Sequence, residues 1–238
     1  MAGVEISQVF ANVLAEGRNV LSLDEARKVL ETIGIKFNAY GFARNLEEAI
    51  QLSRKIGFPV AMKIVSPDVV HKTEVGGVKL YLQSELDIVH AYEQMMENVK
   101  KVMPCARVLG VSVEEMLRGT ELVIGVTRDE QFGPMLMFGL GGIWVEIYKD
   151  VSFRIIPLER VDAWEMIHEI KGIKIIEGAR GFEPVNKKRI VDYIMKVSDF
   201  VETHEEIEEM DINPLIGTRG EVFAIDARII LREKGNQK

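Results

Sequence analysis

Lys63 stands in Pro59-Val60-Ala61-Met62-Lys63-Ile64-Val65, a run otherwise fit for a buried strand. A buried ammonium is costly unless an anion meets it. Two readings follow from the residues: a lysine that clamps a phosphate, or an edge-strand lysine turned to water. The next segment is Ser66-Pro67-Asp68-Val69-Val70-His71-Lys72-Thr73-Glu74-Val75-Gly76-Gly77-Val78-Lys79. It carries the one histidine outside a predicted helix, beside a lysine and ahead of paired glycines. Glycine lets backbone N–H groups approach phosphate oxygens, and lysine adds a point charge. The pattern is not the phosphate loop that opens a helix with Gly-Lys-Ser/Thr. On the residues alone, a surface histidine in a hairpin loop is the default. His90, His168 and His204 fall in predicted helices with no acid–base partner at useful spacing.

Oxygen ligands form the second group. Val113-Glu114-Glu115-Met116-Leu117, followed by Glu121-Leu122-Val123-Ile124-Gly125, puts carboxylates at a strand end and on the next strand. An exposed acidic turn explains this; so does a nucleotide site in which a hinge backbone reads a base and a carboxylate accepts ribose hydroxyls. Gly139-Leu140-Gly141-Gly142, with Glu146 and Asp150 beyond, lacks the strand-then-helix context of a dinucleotide fingerprint and reads as a connection between strands. Near the end, Glu209-Met210-Asp211-Ile212-Asn213-Pro214 and Ala224-Ile225-Asp226-Ala227-Arg228 flank the turn Gly217-Thr218-Arg219-Gly220. A hairpin there brings Asn213 and Asp226 nearly opposite each other. An amide carbonyl and a carboxylate suit magnesium held mainly by phosphates and water. A polar cross-strand pair is the alternative.

The elements that must position these residues are legible in pattern. Ser22-Leu23-Asp24-Glu25 is a capping box, followed by Ala26, Val29, Leu30 and Ile33 on one face and a stop at Gly34. Asn45 with Glu48 repeats the scheme up to Gly57, and a third helix is predicted from Ser84 toward Lys100. Strands are predicted over 59–66, 78–82, 108–116, 121–128, 134–138 and 151–156, helices over 161–170 and 186–201, and the closing hairpin over 209–216 and 221–231. This order fits an α+β fold rather than a continuously alternating doubly wound sheet. The expected organisation is an N-terminal extension or helix over 1–21, a small lobe over 22–106 that holds the His71 loop, and a large lobe over 107–238 that holds the metal hairpin. An apolar junction near Val111–Met116 would leave a nucleotide cleft between lobes.

Composition excludes several classes. The 238 residues carry 30 Lys+Arg against 37 Asp+Glu, a net charge of −7, which argues against a nucleic-acid partner. Hydrophobic residues make up 47% and no apolar run reaches membrane-spanning length, so no membrane segment is expected. The single cysteine, Cys105, excludes an intrachain disulfide and suggests a reducing setting. With no basic-then-apolar start in Met1-Ala2-Gly3-Val4-Glu5, the expected location is cytoplasmic.

Three segments in order carry a resemblance: Gly57-Phe58-Pro59-Val60-Ala61-Met62-Lys63-Ile64-Val65-Ser66-Pro67 with His71-Lys72 and Val75-Gly76-Gly77-Val78; Gln131-Phe132-Gly133-Pro134 with Met137-Phe138-Gly139-Leu140-Gly141-Gly142; and Asp211-Ile212-Asn213-Pro214-Leu215. From about residue 20 to 232 the chain resembles the ATP-grasp β subunits of ADP-forming acetate–CoA ligases, relatives of the succinyl-CoA synthetase β subunit. The resemblance implies an ATP-grasp fold and the reaction acyl-CoA + ADP + phosphate ⇌ acid + CoA + ATP. It implies a partner α subunit that binds CoA and phosphorylates its own histidine, in an α2β2 assembly. By position, His71 matches the histidine that takes the phosphoryl group from that partner; succinyl-CoA synthetase lacks it. Lys63 matches a nucleotide-phosphate lysine, and Lys72 is placed to steady the phosphoryl group. Glu114 and Met116 match the adenine hinge, Glu121 the ribose carboxylate, and Asn213 and Asp226 the magnesium ligands. ATP or ADP is then a substrate and Mg2+ the cofactor. Two other classes compete: a nucleotide-sensing regulatory module, and a partner-independent ligase joining a carboxylate to an amine, which would not need the His71 loop.

Overall fold

The computed structural model describes residues 6–69 and 72–232. Helix α1 (Ile6–Ala15) precedes α2 (Leu23–Thr32). Ser22 caps α2 as the sequence dictates: its hydroxyl accepts the Glu25 N–H, and the Glu25 carboxylate takes the Ser22 N–H at 2.7 Å. Arg18 donates two further bonds to that carboxylate, at 2.9 and 3.0 Å. The guanidinium is the main reason that the Glu25 pKa is lowered to about 2.

Residues 38–117 form one compact unit. It contains β1 (Tyr40–Ala43), α3 (Leu46–Ile56), β2 (Val60–Val65), β3 (Val78–Leu82), α4 (Glu85–Val102) and β4 (Gly110–Glu115). Asn45 caps α3 and Ser84 caps α4, both through side-chain oxygens. The four strands run antiparallel in the order β1-β4-β2-β3. Val60, Met62 and Ile64 of β2, with Val111 and Val113 of β4, pack in one core with Ala49, Ile88, Met95 and Val99 from the two helices. Each such large apolar side chain stabilises the unit by roughly 1.5–3 kcal/mol, so the register is strongly specified. Alternation then sends Ala61, Lys63, Ser112 and Glu114 to the opposite face, with Lys63 opposite Ser112 and Ala61 opposite Glu114. Because β2 lies between β4 and β3, Lys63 is not on an edge strand.

The remaining described residues, up to Phe37 and from Arg118, form the second unit. After α1 and α2 it contains β5 (Thr120–Asp129), β6 (Gly133–Leu140), α5 (Ile143–Glu146), β7 (Val151–Ile155), α6 (Arg160–Glu169), α7 (Ile173–Ile176), α8 (Lys187–Thr203), β8 (Ile207–Gly217), β9 (Val222–Ala224) and β10 (Ala227–Leu231). The strands are antiparallel in the order β10-β8-β5-β6-β7, with β9 also on β8. Leu122, Ile124, Phe138, Met210 and Ile212 of the strands share a core with Met166, Ile194 and Val197 of α6 and α8.

These units differ from the expected boundaries at 21/22 and 106/107. Phe10 and Val13 of α1 and Ala26, Val29 and Leu30 of α2 are buried in the core of the second unit, and the Leu21 N–H donates to Ile229 O at 3.0 Å. Residues 6–37 thus pack with β10 and its neighbours about two hundred residues later, a non-local match that no local spacing reveals. The segment Val111–Met116, expected near a junction, lies just before the boundary at 117/118, and its residues up to Glu115 form an inner strand bonded on both sides. The mixed α+β class stands. Among the described residues no helix is long and apolar enough to cross a membrane.

The Glu25 pKa lies below its ordinary 4.5, so the pair contributes fully above that value and fades as pH falls toward about 2. Glu25→Gln should therefore lower the urea midpoint clearly at pH 7 and much less at pH 3. A pH-independent difference would mean that the Arg18–Glu25 charge contributes nothing to folding.

Candidate functional site

On the helix-free face of the first sheet, Lys63 Nζ donates to Glu114 Oε2 at 2.6 Å and Ser112 Oγ donates to Glu114 Oε1 at 2.9 Å. The Glu114 side chain is 9% exposed and that of Lys63 32%, so the carboxylate is enclosed while the ammonium stays partly open. An ammonium has three donors; those not spent on Glu114 can meet phosphate oxygens. The anion that the sequence demanded for Lys63 is thus supplied within the chain. The Met116 N–H donates to Pro59 O at 3.1 Å, and Glu115 is fixed through bonds from its N–H to Ala39 O at 2.7 Å and from the Ala39 N–H to its Oε2 at 3.0 Å. The expected hinge segment 114–116 is therefore rigidly tied, with the Met116 amide hydrogen already used.

The loop after β2 is anchored at both ends. Val69 and Val75 are buried in the core, the Gly77 N–H donates to Lys72 O at 2.7 Å, and the Ile64 N–H donates to Gly77 O at 2.8 Å. Lys72 lies in the turn that these bonds close. His71 lies outside the described residues.

The second unit carries its own polar cluster, also on a face that helices do not cover. With Met210 and Ile212 in the core, alternation along β8 turns Asp211 and Asn213 the other way. The Asn213 N–H donates to Asp226 O at 3.1 Å, and the Ala227 N–H donates to Asp226 Oδ1 at 2.8 Å. Burial pushes the Asp211 carboxyl up; the charges of Glu209 and Asp226 add to this, while a hydrogen bond from the Asn213 side chain and the charge of Arg228 oppose it. Among the described residues no three His, Cys, Asp or Glu side chains group around a metal position. Asn213, Asp226 and Asp211 offer hard oxygens for a cation whose other ligands are water and phosphate.

Glu121, at the start of β5, is exposed. Its carbonyl accepts the Gly141 N–H at 2.8 Å, and a Cβ added at Gly142 would lie 2.7 Å from its Oε2. The carboxylate therefore rests on the Gly141-Gly142 segment, where a side chain would displace it. Within the first unit the structure brings Lys63 and Glu114 together, and within the second Asn213 and Asp226. Sequence reasoning missed Ser112 and Asp211. Both were reachable, because each lies two residues from a chosen position on the same strand and so shares its face.

The sequence profile of the ATP-grasp domain matches residues 12–231. The β subunit of acetate–CoA ligase (ADP-forming) I from Pyrococcus furiosus is 44% identical over 225 residues, 94% of this chain and 97% of that one. Acetate–CoA ligase (ADP-forming) I of Archaeoglobus fulgidus is 44% identical over 95% of this chain, which spans 33% of that longer protein. A chain of acetyl-coenzyme A synthetase 1 from Ca. Korarchaeum cryptofilum superposes with a TM-score of 0.81 at 42% identity, covering 96% of this chain and 100% of that one. That structure holds coenzyme A and Mg-AMPPCP, with its phosphohistidine segment pointing towards the nucleotide binding site.

Removing Lys63 alone leaves an enclosed carboxylate unpaired. Lys63→Met should cost about 1–3 kcal/mol in urea unfolding, and adding Glu114→Gln should recover most of it. If the double variant is no more stable than the single one, Glu114 does not depend on Lys63.

Proposed function

The chain belongs to the ATP-grasp domain family, among the β subunits of ADP-forming acetate–CoA ligases, and on that premise we propose that it is the nucleotide-handling subunit of an ADP-forming acyl-CoA synthetase. The observation that carries the reading is the pairing of Asn213 with Asp226 beside Asp211. The cluster holds more negative charge than its burial favours, and that excess is what a divalent cation offsets.

In this reading acetyl-CoA, ADP and phosphate give acetate, CoA and ATP. Asn213 and Asp226 would hold a magnesium ion. The Asn213 amide donates to Asp211, which leaves its carbonyl oxygen for the cation. A magnesium ion held there would supply charge neutralisation to the phosphates during transfer. Lys63 binds nucleotide phosphate with the donors Glu114 does not use. Glu114 and Met116 border the base, Glu121 accepts ribose hydroxyls, and Lys72 steadies the travelling phosphoryl group.

His71 is the relay. Its neutral imidazole nitrogen takes the phosphoryl group as the N–P bond to the partner's histidine breaks. It then yields the group to the terminal phosphate oxygen of ADP, where a P–O bond forms as its own N–P bond breaks. The partner is a CoA-binding α subunit carrying that first phosphohistidine, in an α2β2 assembly. The Archaeoglobus relative supports a partner, since two thirds of its length lies outside the part matched here.

With Mg–ATP and the partner present, the chain should acquire an acid-labile, base-stable phosphoryl adduct. His71→Ala should abolish the adduct and turnover while leaving ADP affinity within about twofold, since it touches only the travelling group. ATP synthesis by the His71→Ala complex at an appreciable rate would exclude the relay. Separately, Asn213→Ala with Asp226→Ala should weaken ADP binding by at least about tenfold with magnesium and little without it. Equal losses in both conditions would remove the metal assignment.

A further inference from the structure

The second unit contains a cavity of about 430 Å³, within the range of roughly 300–1,000 Å³ typical of small-ligand sites. None of its lining residues belongs to the proposed nucleotide or metal set. Trp144, Tyr148 and Phe182 give it aromatic walls, and the Trp144 and Tyr148 ring centroids are 5.4 Å apart. Tyr148 and Phe182 are 63% and 46% exposed, although folding normally covers such rings.

The charge around these rings is positive in a chain whose net charge is −7. Lys171 and Lys174 both line the cavity. Lys174 pairs with Glu177 at 3.0 Å, but Glu177 also serves Lys187 at 3.4 Å; no ion pair holds Lys171 among the described residues. Among the described residues Asp150 is the one lining carboxylate, so the two lysines leave an excess of positive charge. Asp150 is buried, and its two oxygens accept the Lys171 and Gly172 N–H groups at 2.7 Å each. Those bonds fix the carboxylate on the backbone that presents Lys171. Gly172 makes that approach possible, since a Cβ there would lie 2.2 Å from Leu140 Cδ1 and 2.9 Å from Asp150 Oδ2.

We propose that this cavity is a binding site for a planar aromatic anion, its ring against Trp144, Tyr148 and Phe182 and its carboxylate or phosphate at Lys171 and Lys174. Both an aryl carboxylate and a nucleoside monophosphate have this chemistry. The chain has two tryptophans, so Trp164→Phe leaves Trp144 as the sole indole reporter inside the cavity.

The test titrates the full-length Trp164→Phe chain, alone and in complex with its co-purified partner. One pair of ligands is 3-phenylpropionate and its neutral amide; the other is AMP and adenosine. Saturable change of Trp144 emission is expected, with at least one anion about tenfold tighter than its neutral counterpart. The tighter anion identifies the source. Lys171→Gln with Lys174→Gln should bring anion and neutral ligand to within about twofold, and Phe182→Ala should weaken both about equally. The proposal is overturned if no ligand gives a saturable change, if anion and neutral ligand bind alike before the lysines are replaced, or if the partner's presence abolishes binding. That last result would make the cavity a seat for the partner chain.

Discussion

A strand that buries Val60, Met62 and Ile64 against helices has no freedom over Lys63, which must turn the other way. The same holds for Ser112 and Glu114 between the buried valines of β4, and for Asp211 and Asn213 beside Met210 and Ile212 of β8. Each sheet is covered by helices on one face, and the period of two in the strands collects the chemistry on the other. The apolar half of each strand therefore does two things. It supplies the burial that fixes register, and that register decides which polar groups meet. A one-residue slip of β2 would put the ammonium among Ile88 and Met95 and lose the pairing with Glu114 together.

Polar groups gathered in this way are not cheap for the fold. Glu114 is enclosed, and Lys63 with Ser112 makes that tolerable. The same contacts hold the ammonium in one place while a third of its side chain stays open, which is the condition for receiving an anion without reorganisation. Asp211 shows the opposite balance. Its burial and its carboxylate neighbours outweigh the help from Asn213 and Arg228, so the folded chain keeps a charge that is less favourable than it would be in water. One cluster is compensated within the chain and the other is left with an excess, an asymmetry that suits the first to an anion and the second to a cation.

Local chemistry was legible in the sequence wherever it depended on neighbours in the chain. Ser22 with Glu25, Asn45 and Ser84 all cap the helices that their spacing predicts. Strands with clear alternation fall within a few residues of their expected ends, and Asn213 does meet Asp226. What escaped was long-range. That Lys63 sits on an inner strand depends on β4 arriving from about fifty residues later. The membership of α1 and α2 in the second unit depends on Leu21 meeting Ile229. The short β1 and the one-turn helices α5 and α7 carry too few residues for a period to register. The residues of the site were legible sooner than the frame, because two-residue spacing on a strand is local while sheet order is not.

The terminal hairpin joins the two levels. Ala227 lies opposite Ile212 and Ala224 opposite Leu215, so the register is the same on either side of the gap between β9 and β10 and Asp226 faces Asn213. Yet Ile225 and Asp226 fall outside both strands. Pro214 has no N–H to return to Ile225, whose N–H donates to Pro214 O at 3.0 Å, and the next bond is from the Asn213 N–H to Asp226 O at 3.1 Å. The proline thus interrupts the pairing without shifting it. Asp226, outside the regular strands, keeps one backbone bond to Asn213, stands exposed, and fixes its carboxylate on the Ala227 N–H. An unbroken hairpin would have kept it a ladder residue like its neighbours. In this chain the proline beside Asn213 is what lets the opposite strand present a carboxylate at the same place.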